Sequence, residues 1–371
     1  MITMKFQLTK GKTCTLALPW EKERVGSGVC TRKGPREVTG VLVGCGDKRG
    51  CPAVRLLRRK SGVTVQALGF IPSPGTLPGS WEELKKKDTW DIPAAFQAPQ
   101  AAIAVVSKDS FIRQTTMDVL TGEMKLTNSA TPLKPLQPIS RNGIRSVVGT
   151  LAEEPFALHV GMPEYQVLWL SRLLPEGRRP TACSVQTACA AALSALSSQP
   201  EFIEADGTAV AVFVLRQTIF FAGYREGEIV LFRECPGGIG SLSIHEQVRI
   251  SLGVDDEIVD SFLEEGLVDP TPVLEPIMRP VLQQLQLSLE YLAQRHDVHV
   301  KHVFLLGLPS GAAYWNAFAQ ELIGMPLIYP GLFEGMEISN KGGVPPELAT
   351  PVASQAFLAA FGAARAAMGV A

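Results

Sequence analysis

The chain has 371 residues, 46% of them hydrophobic and 19% charged, with 16 Phe and 5 Trp. This composition belongs to a packed globular protein and excludes a disordered one, and the length points to two cores rather than one. With 35 basic against 36 acidic residues and a formal net charge of -1, no global field draws nucleic acid or an anionic membrane, so any partner is recognised locally.

Seven cysteines (Cys14, Cys30, Cys45, Cys51, Cys183, Cys189, Cys235) are scattered, without a CxxC pair or histidine companions at metal-ligand spacing. They read as reduced thiols of a cytosolic compartment. The opening MITMKFQLTKGKTCTLALPW has no signal-peptide core, and no run of about 18 uncharged apolar residues occurs, so neither export nor a membrane span is expected.

Residues 1–37 read as an N-terminal extension, loop-like from Gly26 to Glu37. From Val38 the segments VTGVLVG, PAVRLLRR and VTVQALGF predict a three-strand meander. A loop rich in Pro and Gly follows, and Ser80 with Glu83 matches a capping box opening a short helix. The basic clusters Arg55, Arg58, Arg59, Lys60 and Lys85–Lys87 read as solvated turn or helix faces. AAIAVVS predicts a strand with FIRQTTMDV as its hairpin partner. A polar, proline-containing stretch from Thr121 to Ser140 belongs to an insertion near 121–160. Helices are predicted over Glu164–Leu174, with Tyr165, Leu168, Trp169 and Leu173 on one face, and over Val185–Ser197.

The second half repeats this order. TAVAVFVL, TIFFAGYR and EIVLFREC predict another three-strand meander, with Glu226 and Gly227 at a turn. LEPIMRPVLQQLQLSLEYLAQ is a long amphipathic helix whose Pro280 is tolerable in the first turn. A strand (HVFLLG), a loop (LPSG), a helix (AAYWNAFAQELIG), a short strand (PLIYP) and a small-residue helix (PVASQAFLAAFGAARAAMG) complete the chain. The division is a first lobe over 38–205 and a second over 206–371.

Two lobes, each a three-strand meander followed by helices, give an α/β fold that resembles the two-lobed actin-like (ribonuclease H-like) plan. Within it the succession EIVLFREC, PGGIGSLS, LQLSLEYL, HVFLLGLPSGAAYWNAFAQELIGMPL and the alanine-rich closing helix resembles the PilM family of type IV pilus assembly proteins. The cytoplasmic domain of the GspL family shares much of the pattern but usually precedes a transmembrane helix. The resemblance implies a cytoplasmic protein, peripheral to the inner membrane, that holds the tail of a PilN-like membrane protein. It implies that the tail lies in a groove, with pilus motor or platform components as further partners; an extended peptide pairing with a strand edge is one such mode, and Ala102–Gln114 is the segment expected to take it. It implies no contact with nucleic acid, and with membrane only through the partner. A homo-oligomer built on the fold is a further reading.

The same resemblance implies a nucleotide site, so its parts can be sought. The first hairpin keeps Gly44, Gly46 and Gly50, but Val43 or Cys45 stands where the family has Asp, leaving Asp47 and Lys48 in the turn. On the second hairpin the expected Asp and Gly fall near Phe213 and Leu215. The third element, GLPSG, retains Gly307, Ser310 and Gly311. The candidate cofactor-binding residues are thus Gly44, Gly46, Asp47, Lys48, Gly307, Ser310 and Gly311, for ATP and Mg²⁺ if the site is retained. The expectation is a degenerate ATPase with no catalytic residue, no metal and no cofactor. An active ATPase is the alternative, with a carboxylate from Asp47, Asp206 or Glu226. Gly237, Gly238, Ile239 and Gly240 lack the rest of a dinucleotide fingerprint. His159, His245, His296, His299 and His302 have no metal-motif spacing, and Ser310 or Cys183 has no assignable catalytic partners.

Overall fold

The computed structural model describes residues 35–85, 89–107, 109–117, 124–126, 145–151, 154–174, 180–196, 207–216, 218–225, 228–235, 240–255, 258–259, 271–307, 312–339 and 343–369. The first four strands are β1 (Glu37–Val43), β2 (Cys51–Arg59), β3 (Gly62–Ile71) and β4 (Gln100–Val105). Then come β5 (Phe111–Met117), β6 (Met124–Leu126), β7 (Arg145–Leu151), β8 (Glu154–Gly161), α1 (Glu164–Leu173), β9 (Thr181–Thr187) and α2 (Ala188–Leu196). The second half holds β10 (Thr208–Val214), β11 (Ile219–Arg225), β12 (Glu228–Glu234), α3 (Ser241–Leu252), α4 (Thr271–His296), β13 (Val300–Leu306), α5 (Ala312–Ile323), β14 (Leu327–Ile328), β15 (Glu337–Ile338) and α6 (Leu358–Met368).

These strands build two large sheets of one design. The first runs β15-β3-β2-β1-β4-β9 and the second β12-β11-β10-β13-β14. In each, the meander is antiparallel and its first strand then takes a parallel neighbour: β1 pairs β4 from Val38↔Gln100, and β10 pairs β13 from Thr208↔Val300. The central strand β10, TAVAVFV, is buried throughout, as a strand covered on both faces must be. In β4, alternation divides the cores. Ala102 and Ala104 face a core shared with the second sheet, whereas Ala101, Ile103 and Val105 face a smaller one closed by Trp169, Leu170 and Leu173 of α1.

α2 and α6 join the two halves, packing on each other and on the first sheet within the shared core. Their approach is at backbone distance. A Cβ added at Gly362 would lie 1.8 Å from the Ala191 carbonyl oxygen, and one at Gly40 would lie 1.9 Å from that of Ala360. Every residue of α6 is buried. The stretch 206–371 therefore returns to the first sheet twice, through β15 beside β3 and through α6.

Several sequence expectations are corrected. β5 is not the hairpin partner of β4. It joins a separate four-stranded antiparallel sheet, β6-β5-β8-β7, while β4 sits between parallel neighbours β1 and β9. Residues 185–187 extend β9 rather than opening a helix. The buried face of α1 is Gln166, Trp169, Leu170 and Leu173, with Tyr165 and Leu168 only half-buried. The short helix near residue 80 is a single 3₁₀ turn, Glu82–Lys85, and Glu83 accepts from the Gly79 N–H at 2.8 Å.

Pro280 is not in the first turn of its helix, because α4 begins at Thr271 and runs through both Pro276 and Pro280. Pro272, Pro276 and Pro280 fall on one exposed stripe, so the carbonyls they leave without an N–H partner face water. Of the basic clusters, Arg59 and Lys60 are exposed. Arg55, however, pairs with Glu37 at 2.6 Å, and Arg58 donates to the Met368 carbonyl at 3.0 Å, tying β2 to the end of α6. Among the described residues no helix is long and apolar enough to cross a membrane.

Candidate functional site

The loop leaving β1 and the loop leaving β10 meet, and this junction is the place to look for the nucleotide site. In the first loop, Gly44, Gly46 and Gly50 all take positive φ. Asp47 is held by its neighbour: its Oδ1 accepts from the Arg49 backbone N–H at 2.9 Å and Nε at 3.1 Å, and its Oδ2 accepts from Nη2 at 2.8 Å. The Arg49 guanidinium also lies 4.1 Å from the centre of the Phe70 ring. Burial alone would raise the Asp47 carboxyl. The Arg49 hydrogen bonds and charge, with Arg216 adding to them, outweigh it and hold the group below its ordinary value. Lys48 is on the exposed tip of the turn.

Val43 and Cys45, the positions expected to carry Asp, are buried. Cys45 approaches the Gly50 carbonyl at 3.8 Å, and its thiol is pushed up by burial. Cys51, at the start of β2, is pushed up to about 12 by burial and then by Cys45.

The second loop is pinned from several sides. Phe213 is fully buried and stacks on Phe220, with centroids 4.4 Å apart and planes 11° from parallel. The Leu215 N–H donates to the Thr218 carbonyl at 2.9 Å, its own carbonyl accepts from the Ser241 N–H at 2.9 Å, and the Thr218 hydroxyl donates to Glu234 at 2.9 Å. Arg216 reaches out of this loop and donates from Nη2 to the Gly46 carbonyl at 3.0 Å.

The third element begins at Gly307, whose N–H donates to Oε1 of Gln355 at 3.0 Å, while Gln355 Nε2 donates to the Pro330 carbonyl at 2.6 Å. Gln355 is buried, so a side chain just before α6 occupies the first amide of this loop. Gly44, Gly46, Asp47 and Lys48 thus share one loop, and Arg216 brings the second loop to it. Ser310 and Gly311 lie outside the described residues, as do Asp206, Glu226 and 237–239. Sequence reasoning missed Arg216 and Gln355. A charged residue directly after a fully apolar strand was the available signal for Arg216, and for Gln355 there was none.

Among the described residues no group of three His, Cys, Asp or Glu side chains is placed to hold a metal ion. His299 lies 3.8 Å from Asp297, both exposed. The Ala102–Gln114 segment splits in two. Ala102–Val105 lies in the centre of the first sheet with both edges paired, so strand addition there is ruled out. In β5, Phe111–Gln114 pairs with β8, but the pairing with β6 starts only at Thr115. Among the described residues, one edge of Phe111–Gln114 therefore carries no strand.

No protein-family model matches the chain, and no curated protein does. Solved structures do. Two sheets of strand order 3-2-1-4-5, bridged by helices, define the two-lobed actin-like fold. The particular form is PilM-like: a chain of the PilM-PilN type IV pilus biogenesis complex superposes with a TM-score of 0.60 over 91% of this chain and 100% of that one, at 16% identity. At that identity the likeness establishes the fold. Weaker similarities include a Bacteroides thetaiotaomicron protein of actin-like ATPase fold and unknown function (TM-score 0.40, 10% identity, 88% of this chain and 96% of that one). Another is the activator of the 2-hydroxyisocaproyl-CoA dehydratase from Clostridium difficile with bound ADPNP (TM-score 0.40, 11% identity, 90% and 94%).

Proposed function

We propose that this chain is a scaffold of a type IV pilus assembly platform, cytoplasmic and peripheral to the inner membrane, that holds the tail of a PilN-like membrane protein and does not hydrolyse ATP. The observation that carries the reading is the full-length superposition on a chain from a complex of PilM with PilN. Among the described residues one edge of Phe111–Gln114 carries no strand, which supports the reading, since an extended tail adding there gains backbone hydrogen bonds.

The junction supports the loss of hydrolysis. Phosphoryl transfer needs backbone amides around the phosphates and carboxylates to hold Mg²⁺ or the attacking water. Here Phe213 takes the carboxylate position of the second loop and is committed to an aromatic stack. Asp47 is committed to Arg49, and the first amide of the third element to Gln355. The commitments of these described residues speak against a Mg·nucleotide at the junction.

Calorimetric titration tests both halves. The tail peptide of a PilN-like protein is expected to bind and Mg·ATP is not. Ile112→Asp and Gln114→Lys, which place charge along the open edge, are expected to weaken the peptide about tenfold, the equivalent of one lost net hydrogen bond. Unchanged peptide affinity in both variants removes the edge assignment, and tight Mg·ATP binding removes the non-hydrolysing scaffold.

A further inference from the structure

Arg216 and Gly46 are 170 positions apart, yet the Arg216 guanidinium lies directly over the Gly46 α-carbon. Nη2 donates to the Gly46 carbonyl at 3.0 Å, and Nε and Nη2 both lie 3.7 Å from where a Cβ at position 46 would stand. Gly46 has φ 66°, a conformation that L side chains rarely adopt, and a methyl there would stand in ordinary van der Waals contact with the guanidinium. The charge is matched as well as the shape, because Asp47 is close enough to feel Arg216.

Behind Arg216 the loop is rigidly held. Its neighbour Leu215 is bonded to Thr218 and Ser241, and a Cβ at Gly240 would lie 2.5 Å from the Arg216 carbonyl oxygen. An arginine on a fixed loop of one sheet, bonded to a backbone carbonyl on the other, is a tie between the two halves.

We propose that Arg216 is a latch that keeps the two lobes closed at this junction with no nucleotide bound, a protein cation bridging the two loops that a phosphate ligand would otherwise have to bridge. The latch rests on the reading that the junction binds no nucleotide. Because this charge-assisted bond is exposed, its removal shifts an opening equilibrium by about tenfold at most.

The test uses the full chain without nucleotide, comparing wild type with Arg216→Ala and Arg216→Gln. Two readouts report closure: the radius of gyration from solution scattering, and the rate at which N-ethylmaleimide alkylates Cys45, followed by peptide mass spectrometry. Cys45 is 6% exposed and adjoins Gly46, so opening of the junction is expected to uncover it, whereas loss of the Arg216 charge without opening would slow its alkylation. The expected result is about tenfold faster alkylation of Cys45 and a larger radius of gyration in Arg216→Ala. If that variant does not fold, Arg216→Gln, with shorter reach and no charge, shows the same direction.

Wild-type alkylation and scattering in a folded variant overturn the latch and leave the scaffold reading standing on its own titrations. Tight binding of Mg·ATP to wild type overturns that reading and the latch with it.

Discussion

Gly362→Ala puts two forces in direct opposition. Helix propensity alone makes the change stabilising by about 1 kcal/mol, since alanine loses less backbone freedom than glycine in a helix interior. The packing says otherwise. The added methyl would stand 1.8 Å from the Ala191 carbonyl oxygen, 2.7 Å from its carbon and 3.0 Å from the Ala195 nitrogen. All three are backbone atoms, which cannot rotate away. To bring the closest contact even to 3.0 Å, α6 must move from α2 by about 1.2 Å, and its other side already rests on β1, where Ala360 meets Gly40. A clash this short belongs at the upper end of the about 1–3 kcal/mol that overpacking costs, so the net effect is a loss of roughly 2 kcal/mol. Urea denaturation measures it: the midpoint falls and the slope is unchanged. A variant as stable as wild type, or more stable, would refute the close approach of α2 and α6.

Two further outcomes are expected. Phe213→Asp, which puts a carboxylate near the end of β10, is expected to give no Mg·ATP binding; it removes one ring of the stack and buries an unpaired charge, costing about 3 kcal/mol or more. A soluble variant with wild-type stability and Mg·ATP binding would contradict this. The thiols give a pH dependence. Cys51 and Cys235, both buried, are each pushed up to about 12, in each case chiefly by burial, from an ordinary value of 9.0. Above pH 9 the unfolded chain loses thiol protons that the folded chain keeps, so stability is fully present below pH 9 and is lost as pH rises towards 12. The urea midpoint should therefore drop between pH 8 and pH 10.5, and a flat midpoint would show the thiols to be less buried than described.

The parts of the fold that were legible in the sequence are the local ones. Both meanders announce themselves as β-branched runs broken by turn residues, and the pairs β1–β2 and β10–β11 follow from chain proximity. Parallel pairing leaves no such mark. Lys108 and Asp109 read as a hairpin turn, but β4 takes its neighbours from residues 38–43 and 181–187, and nothing near it in sequence says so. β9, TACSVQT, has mixed polarity and runs straight into alanines, so its end merges with α2 by eye. At the junction, the glycines and Asp47 were found because they lie together on one loop. The bonds of Arg216 to Gly46 and of Gln355 to Gly307 span 170 and 48 residues, and distance in the chain hides them.

The burial of α6 also bears on how the protein is made. Its eleven residues, 358–368, cover the face of β1 at Gly40 and the side of α2 at Ala191, both of which leave the ribosome long before it does. During synthesis the first sheet has no lid on that face, and an apolar surface built from Val38, Val54, Ala102 and Ala104 waits for the last helix. The first half cannot complete its fold as it emerges, in contrast to domains that close one after another from the N-terminus. A nascent chain halted before residue 358 is expected to be protease-sensitive and chaperone-bound, and both halves become native together only once residues 358–368 have emerged.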